Sequence, residues 1–288
     1  MLLNPAMTTE TGRKEIAGNP HDVLQNASSN PKPDSNPAVP DNFESVSTER
    51  WKTAQHWERS HWVNTQRARA KYGKNFIWRV LTRLGLRSKY RGDDWNEWWK
   101  SRFDGYGFLP RRISNALEVG CGPYTNVRLM LDHTSFDHLF LSDPLIRTYV
   151  GFKLTFVSEM YRRAACILDD HPLEELPFAS SYFDLTVMIN VLDHVRDAHA
   201  CMNQLIRVIR PGGWLVLGQD LTDDQDVARQ RGTEGEIGHP IKLRHEWFNP
   251  WLDSGAFDIH QHRILSRAEG RSPEGHYGTL LFAGRNRA

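Results

Sequence analysis

A chain of 288 residues has room for one sizeable domain with an appendage or for two small ones, and its 39% hydrophobic content implies that some stretch is too polar to join a core. With 36 Lys and Arg against 35 Asp and Glu, no global charge argues for nucleic acid or for an acidic tail. Cys121, Cys166 and Cys201 lie in apolar runs without paired metal spacing, which argues against a disulfide framework and a zinc ribbon. A soluble protein of the reducing cytoplasm is expected, because no apolar run approaches the ~18 residues of a membrane span and the N-terminus lacks a signal-peptide pattern.

In chain order, residues 1–48 are rich in Asn, Pro, Ser and Thr, as in NASSNPKPDSNPAVPDN, and predict a disordered tail. Residues 49–106 turn to tryptophan, arginine and helix formers and predict a helical cap. Phe76, Ile77, Val80, Leu81 and Leu84 fall at helical spacing, and a second helix is expected from Trp95 to Phe103 with Asp93 or Asp94 as its cap. From residue 107 to 288 short apolar strands alternate with amphipathic helices, the pattern of a doubly wound α/β domain. Strands are expected at Ala116 to Val119, Leu139 to Ser142, Ala164 to Leu168, Leu185 to Ile189 and Trp214 to Leu217. A helix is expected from Ala198 to Ile209, stopped before Pro211, Gly212 and Gly213. A polar loop from Thr222 to about Gly238, a helix near Glu246 to Ser254 and an antiparallel pair, Phe257 to Leu265 and Gly278 to Ala283, complete the chain.

The segment ALEVGCGPYTN is an apolar strand running into a glycine turn, where Gly120 and Gly122 allow close approach of a nucleotide-type cofactor. Glu118 before them suits a cationic ligand better than a pyrophosphate. About 20 residues on, Asp143 in LFLSDP can accept both hydroxyls of a ribose or cap a helix. Asp169 and Asp170 in ILDDHPLEELPF can meet an adenine amino group. Three acidic strand ends with no phosphate-binding lysine describe a pocket for a neutral nucleoside carrying a positive centre, which is S-adenosylmethionine.

The stretch from Ala116 to about Asp220 resembles the core of a class I S-adenosylmethionine-dependent methyltransferase: EVGCG, SDP, LEELPF before SYFD, VLDHV and IRPGGWLVL follow one another at family spacing. The resemblance implies a Rossmann-like seven-stranded sheet in the order 3-2-1-4-5-7-6 with an antiparallel seventh strand. It also implies that Glu118, Gly120 and Gly122 line the methionine and ribose side, Asp143 binds the ribose, Asp170 with Leu173 flanks adenine, and Asn190 faces the sulfonium. Tyr124 stands where many members carry a third glycine, and DDHPLEELPF is longer than the common version. DDWNEWWKSRFDGYGFLP resembles the entrance of bacterial methyltransferases associated with surface polysaccharides.

His194, after the fourth strand, and His239, in EIGHP, are candidate catalytic bases, with local packing as the alternative. Trp98 and Trp99 are candidate substrate contacts, since adjacent aromatics on one helix cannot share a face; the alternative is core. His260 and His262 are placed on one strand face without a third ligand, so no metal is expected. Nine Lys or Arg and no Asp or Glu lie between His61 and Arg91, a solvated face or an attraction for phosphate, RNA or an anionic membrane surface. The expected activity is methyl transfer to a hydroxyl of a small molecule or glycan, with a cell-surface or lipid-linked saccharide preferred. The alternatives are RNA methylation and an inactive binding protein of this fold.

Overall fold

The computed structural model describes residues 44–72, 80, 94–153, 155–252 and 255–288. Seven strands form one sheet: β1 Arg112–Val119, β2 Ser135–Ser142, β3 Ile167–Asp169, β4 Phe183–Ile189, β5 Ile209–Leu221, β6 Phe257–Ser266 and β7 Gly278–Asn286. Their order is β3-β2-β1-β4-β5-β7-β6. The first five are parallel, and β7 lies antiparallel between β5 and β6, as the family resemblance implied. The helices are α1 Thr48–Tyr72, α2 Asp94–Arg102, α3 Val127–Met130, α4 Ile146–Tyr149, α5 Phe156–Arg162, α6 Ala198–Val208, α7 Asp224–Gln230, α8 Glu234–Gly238 and α9 Asn249–Leu252. Among the described residues no helix is long and apolar enough to cross a membrane.

Alternation along the strands divides the core between the two faces of the sheet. Leu117, Met188, Leu215 and Leu217 pack on one side with Cys201, Met202 and Leu205 of α6. Ala116, Val187 and Val216 pack on the other, where they meet Trp99, Phe103 and Tyr106. Helix α2, in the expected cap, supplies core to the sheet, and the described residues from 44 on belong to one compact unit.

Several boundaries differ from expectation for local reasons. Residues 44–48, read as the end of the tail, are structured: Ser45 bridges Asp197, Val46 N donates to Arg196 O, and α1 begins with Ser47 Oγ accepting from Arg50 N. The polar loop after β5 is instead α7 and α8, and α7 starts with a reciprocal cap between Asp223 and Asp226. Ala164 does not open β3; it sits at φ +50 just past α5. The helix expected over Glu246 to Ser254 is a 3₁₀ turn, His245–Phe248, followed by α9. Of the helix expected at Phe76 to Leu84 only Val80 is described. Asp93, proposed as a cap, lies outside the described residues, as do the side chains of the basic run beyond residue 67.

His260 and His262 do not share a face. The register shifts between Ile259 and Gln261, and the His260 ring packs on Phe108 while His262 packs edge-on against Phe282 on the opposite side of the sheet.

Candidate active site

The carboxyl ends of β1, β2, β3 and β4 meet at one rim, and the switch in strand order between β1 and β4 opens a crevice there. Helix α1 crosses this crevice. Its residues Trp51, Gln55, Glu58 and Trp62 recur every three or four positions, so one helix face is presented to a cavity of about 410 Å³. Trp57 holds the helix down against α8: a Cβ on Gly238 would come within 2.3 Å of its ring. Arg50 adds hydrogen bonds to the Glu236 and Ile237 carbonyls at the end of α8.

The glycine loop forms one wall. Gly120, at φ +59, passes under Val191 so closely that a Cβ would lie 2.4 Å from that side chain. Gly122, at φ +54, has nothing within 4 Å of its missing Cβ and leaves the wall open to a ligand. Glu118 lies beneath the loop and off the cavity wall, contrary to the role implied for it. Its carboxylate accepts from Asn126 N at 2.8 Å and Val127 N at 3.1 Å, so it fixes the start of α3. Burial pushes its pKa up to about 7, against those hydrogen bonds.

Asp143 reaches the wall and also holds structure. One oxygen accepts from Gly122 N at 3.1 Å and the other from Leu145 N at 2.8 Å. Burial raises its pKa to about 6. Asp170 is not on the wall: it pairs with Arg147 at 2.9 Å on the surface, which holds its carboxyl below the usual range. Asp169 turns back to accept from Ser142 Oγ at 2.7 Å and pairs with His171 Nδ1 at 2.6 Å. His171 and Leu173 therefore line the rim where two aspartates were weighed. Asn190 lines the cavity at φ +56, with its side-chain oxygen accepting from Asp220 N at 3.0 Å. Tyr124, in place of a third glycine, has its hydroxyl 2.9 Å from Gln66 Nε2 and so ties α1 to the glycine loop.

The opposite end of the cavity is a histidine cluster. The His194 and His239 rings lie with centroids 4.4 Å apart, so the two candidate bases are brought together. Between them is Asp193, buried, with Oδ2 2.7 Å from His239 Nδ1 and 3.8 Å from His194 Nε2. Its Oδ1 accepts from Gln219 Nε2 at 3.1 Å. Burial disfavours the charge on Asp193, yet His194 and His239 outweigh it and hold the carboxyl below its ordinary range. Burial works against a charged His194, but Asp193, Glu58 and Asp143 together raise its pKa; burial and His194 lower that of His239. Arg271, which pairs with buried Asp220 at 2.6 Å, and His276 close this end.

Trp99 is 2% exposed and is core whose edge reaches the wall; Gly218 leaves room for its ring. Trp98 packs edge-on against it, 4.9 Å away, and does not reach the cavity. Sequence reasoning missed Asp193, Glu58, His171 and Arg271. Only Asp193 carried a local signal, as the residue before His194 in VLDHV.

Residues 117–217 match the profile of a family described as a methyltransferase domain. A curated relative, the tRNA U34 carboxymethyltransferase of Syntrophotalea carbinolica, is 37% identical over 97 residues, which are 30% of this chain and 28% of that protein. The match thus spans well under two thirds of the relative's length. The structure of N-methyltransferase NodS from Bradyrhizobium japonicum WM9 in complex with S-adenosyl-l-homocysteine superposes with a TM-score of 0.50 at 18% identity, covering 73% of this chain and 98% of that one. A second NodS structure gives 0.49 at 20% identity, covering 68% and 99%. At 18% identity the likeness to the S-adenosyl-l-homocysteine complex speaks for the fold alone, and the match to a methyltransferase domain is carried by residues 117–217 within that fold.

Proposed function

We propose that the protein transfers the methyl group of S-adenosylmethionine to a hydroxyl of a small molecule or glycan, with a cell-surface or lipid-linked saccharide as the acceptor, in the cytoplasm. The observation that carries this reading is one cavity that runs from the glycine loop to the histidine cluster. The cradle over Gly122, with Asp143 and Leu173 in the wall, fits an adenosine ligand. When bound, that cofactor supplies an already activated electrophilic methyl group. The chain's own task is then to hold the acceptor oxygen near about 3 Å and to exclude water. Trp51, Trp62 and Trp99 supply apolar walls for this, and His194 and His239 line the same cavity, beside which this reading sets the acceptor hydroxyl. An imidazole there can take up the hydroxyl's proton.

RNA is a second acceptor reading. It is supported by the name of the curated relative and by the basic stretch from His61 to Arg91. Incubating extract with methyl-labelled cofactor and the purified protein separates the two. Label in a saccharide hydroxyl supports the first, whereas label in RNA, with binding to unrelated RNAs that falls steeply with salt, replaces it by the second. A protein that binds no cofactor in calorimetry is neither and serves as an inactive binding module.

A further inference from the structure

We propose that Asp193, His194 and His239 form a site for one divalent cation at the acceptor end of the cavity, an inference that rests on reading that end as the place of the acceptor. One donor atom from each residue lies within 4.8 Å of the others, the only such group of three among the described residues. A first-row cation binds imidazole nitrogen and carboxylate oxygen at roughly 2.0–2.2 Å, so a triangle of this size closes on an ion with sub-ångström adjustment. Two imidazoles and a carboxylate suit zinc, manganese, iron(II) or cobalt rather than calcium.

The fold prepares these donors. Asp193 and His194 are neighbours in one 3₁₀ turn after β4, and Ile241 N donates to Asp193 O at 3.2 Å, which brings the segment after His239 against that turn. Gln219 holds Asp193 Oδ1 and leaves Oδ2 to face both rings. With His194 Nε2 toward Asp193, its Nδ1 is a buried atom without a hydrogen-bond partner, 3.6 Å from Glu58 Oε2. A carboxylate beside the outer nitrogen of a ligating histidine is the usual support of such a ligand, fixing its tautomer. Glu58 is itself oriented by Trp62 Nε1 at 2.6 Å.

Three protein donors leave coordination positions free on the cavity side, as in catalytic rather than structural sites. Those positions suit an acceptor with two adjacent oxygens, such as a vicinal diol of a sugar. A hydroxyl on the cation loses its proton more readily, to solvent water, and its oxygen lone pair forms the bond to the methyl carbon as the carbon–sulfur pair returns to sulfur. With a cation bound, the imidazoles are its ligands in place of the proton acceptor that one of them would be without it.

The test uses the full chain freed of metal and titrated with Zn²⁺, Mn²⁺ and Co²⁺ by calorimetry, with visible absorption reporting the Co²⁺ coordination. One site per chain is expected, with His239→Ala and Asp193→Asn each weakening it at least 100-fold and Glu58→Gln weakening it 10–100-fold, the usual range for a residue supporting a ligand. S-adenosylmethionine affinity, measured on the same variants without metal, reports whether each is folded; should His239→Ala lose it, His239→Gln takes its place. Absence of a site in the wild type, or equal affinity in folded His239 and Asp193 variants, overturns the proposal. If the cofactor binds and no cation does, this inference alone falls. If a cation binds and methyl reaches no hydroxyl, the acceptor reading falls instead.

Discussion

Asp143 Oδ2 accepts from the backbone N–H of Gly122 at 3.1 Å, joining the loop after β1 to the end of β2 across 21 residues of chain. The carboxylate that was expected to bind a ribose is thus a brace for the glycine loop. Asp143→Ala should weaken S-adenosylmethionine binding by about 1–3 kcal/mol, the range for charge-assisted hydrogen bonds, and should lower the melting temperature as the Leu145 turn loses its acceptor. Calorimetry and melting on the same sample check both parts. An unchanged dissociation constant with a lower melting temperature would leave Asp143 a structural brace only.

Glu118 ties stability to pH. Its folded pKa is raised from 4.5 to about 7, so the fold holds this proton more tightly than the unfolded chain does. Stability from this group is therefore fully present below about 4.5 and is lost as pH rises through about 7, by roughly 3 kcal/mol in all. Glu118→Gln cannot titrate. The stability difference between wild type and this variant, from urea titrations at several pH values, should slope between pH 4.5 and 7 in favour of the variant. A difference that stays flat across that window refutes the assignment.

The carboxyl ends of β1, β2 and β4 and the glycine loop were legible because short apolar runs and Gly120 with Gly122 are local signals, whereas β5 runs to Leu221, beyond its expected end at Leu217. At the histidine end of the cavity only His194 and His239 were legible. The inward face of α1 mixes Trp51 and Trp62 with Gln55 and Glu58, so no apolar stripe announces the helix, and Asp193 meets His239 only across 46 residues. At the end of β3 a single step along the chain decides the outcome. Asp169 turns inward to Ser142, Asp170 turns outward to Arg147, and composition alone cannot fix that phase.

Trp98 and Trp99 should behave differently although they are adjacent. Trp99 fills the core beside Gly218, where its truncation leaves a cavity, and Trp99→Ala should cost about 3–5 kcal/mol. Trp98 is only partly buried, with Arg102 over its ring at 5.1 Å, and Trp98→Ala should cost about 1 kcal/mol. Melting curves check the pair. Equal losses at both positions would mean that the ring contact between them, and not the core under Trp99, carries the stability.

The entry into α1 sets the last expectation. Ala198 N donates to Glu44 O at 2.9 Å and Val46 N to Arg196 O at 2.8 Å, while Glu44 Oε2 lies 2.6 Å from His199 Nε2. These contacts fasten the residues before α1 to the start of α6, and Ser47 caps α1 itself. A chain beginning at residue 44 keeps all of them; one beginning at residue 48 loses three backbone hydrogen bonds, among them Trp51 N to Ser47 O at 3.0 Å, the exposed Glu44–His199 pair and a cap. The exposed pair contributes little, and the cap and the backbone bonds about 1 kcal/mol each. The shorter chain should therefore melt several degrees lower, by the usual relation between stability and melting temperature. Because α1 carries Glu58 and Trp62 into the cavity, the shorter chain should also turn over acceptor more slowly at saturating cofactor. Equal melting of the two chains would show that α1 is held by Trp57 on Gly238 and by Arg50 on α8 without help from the residues before it.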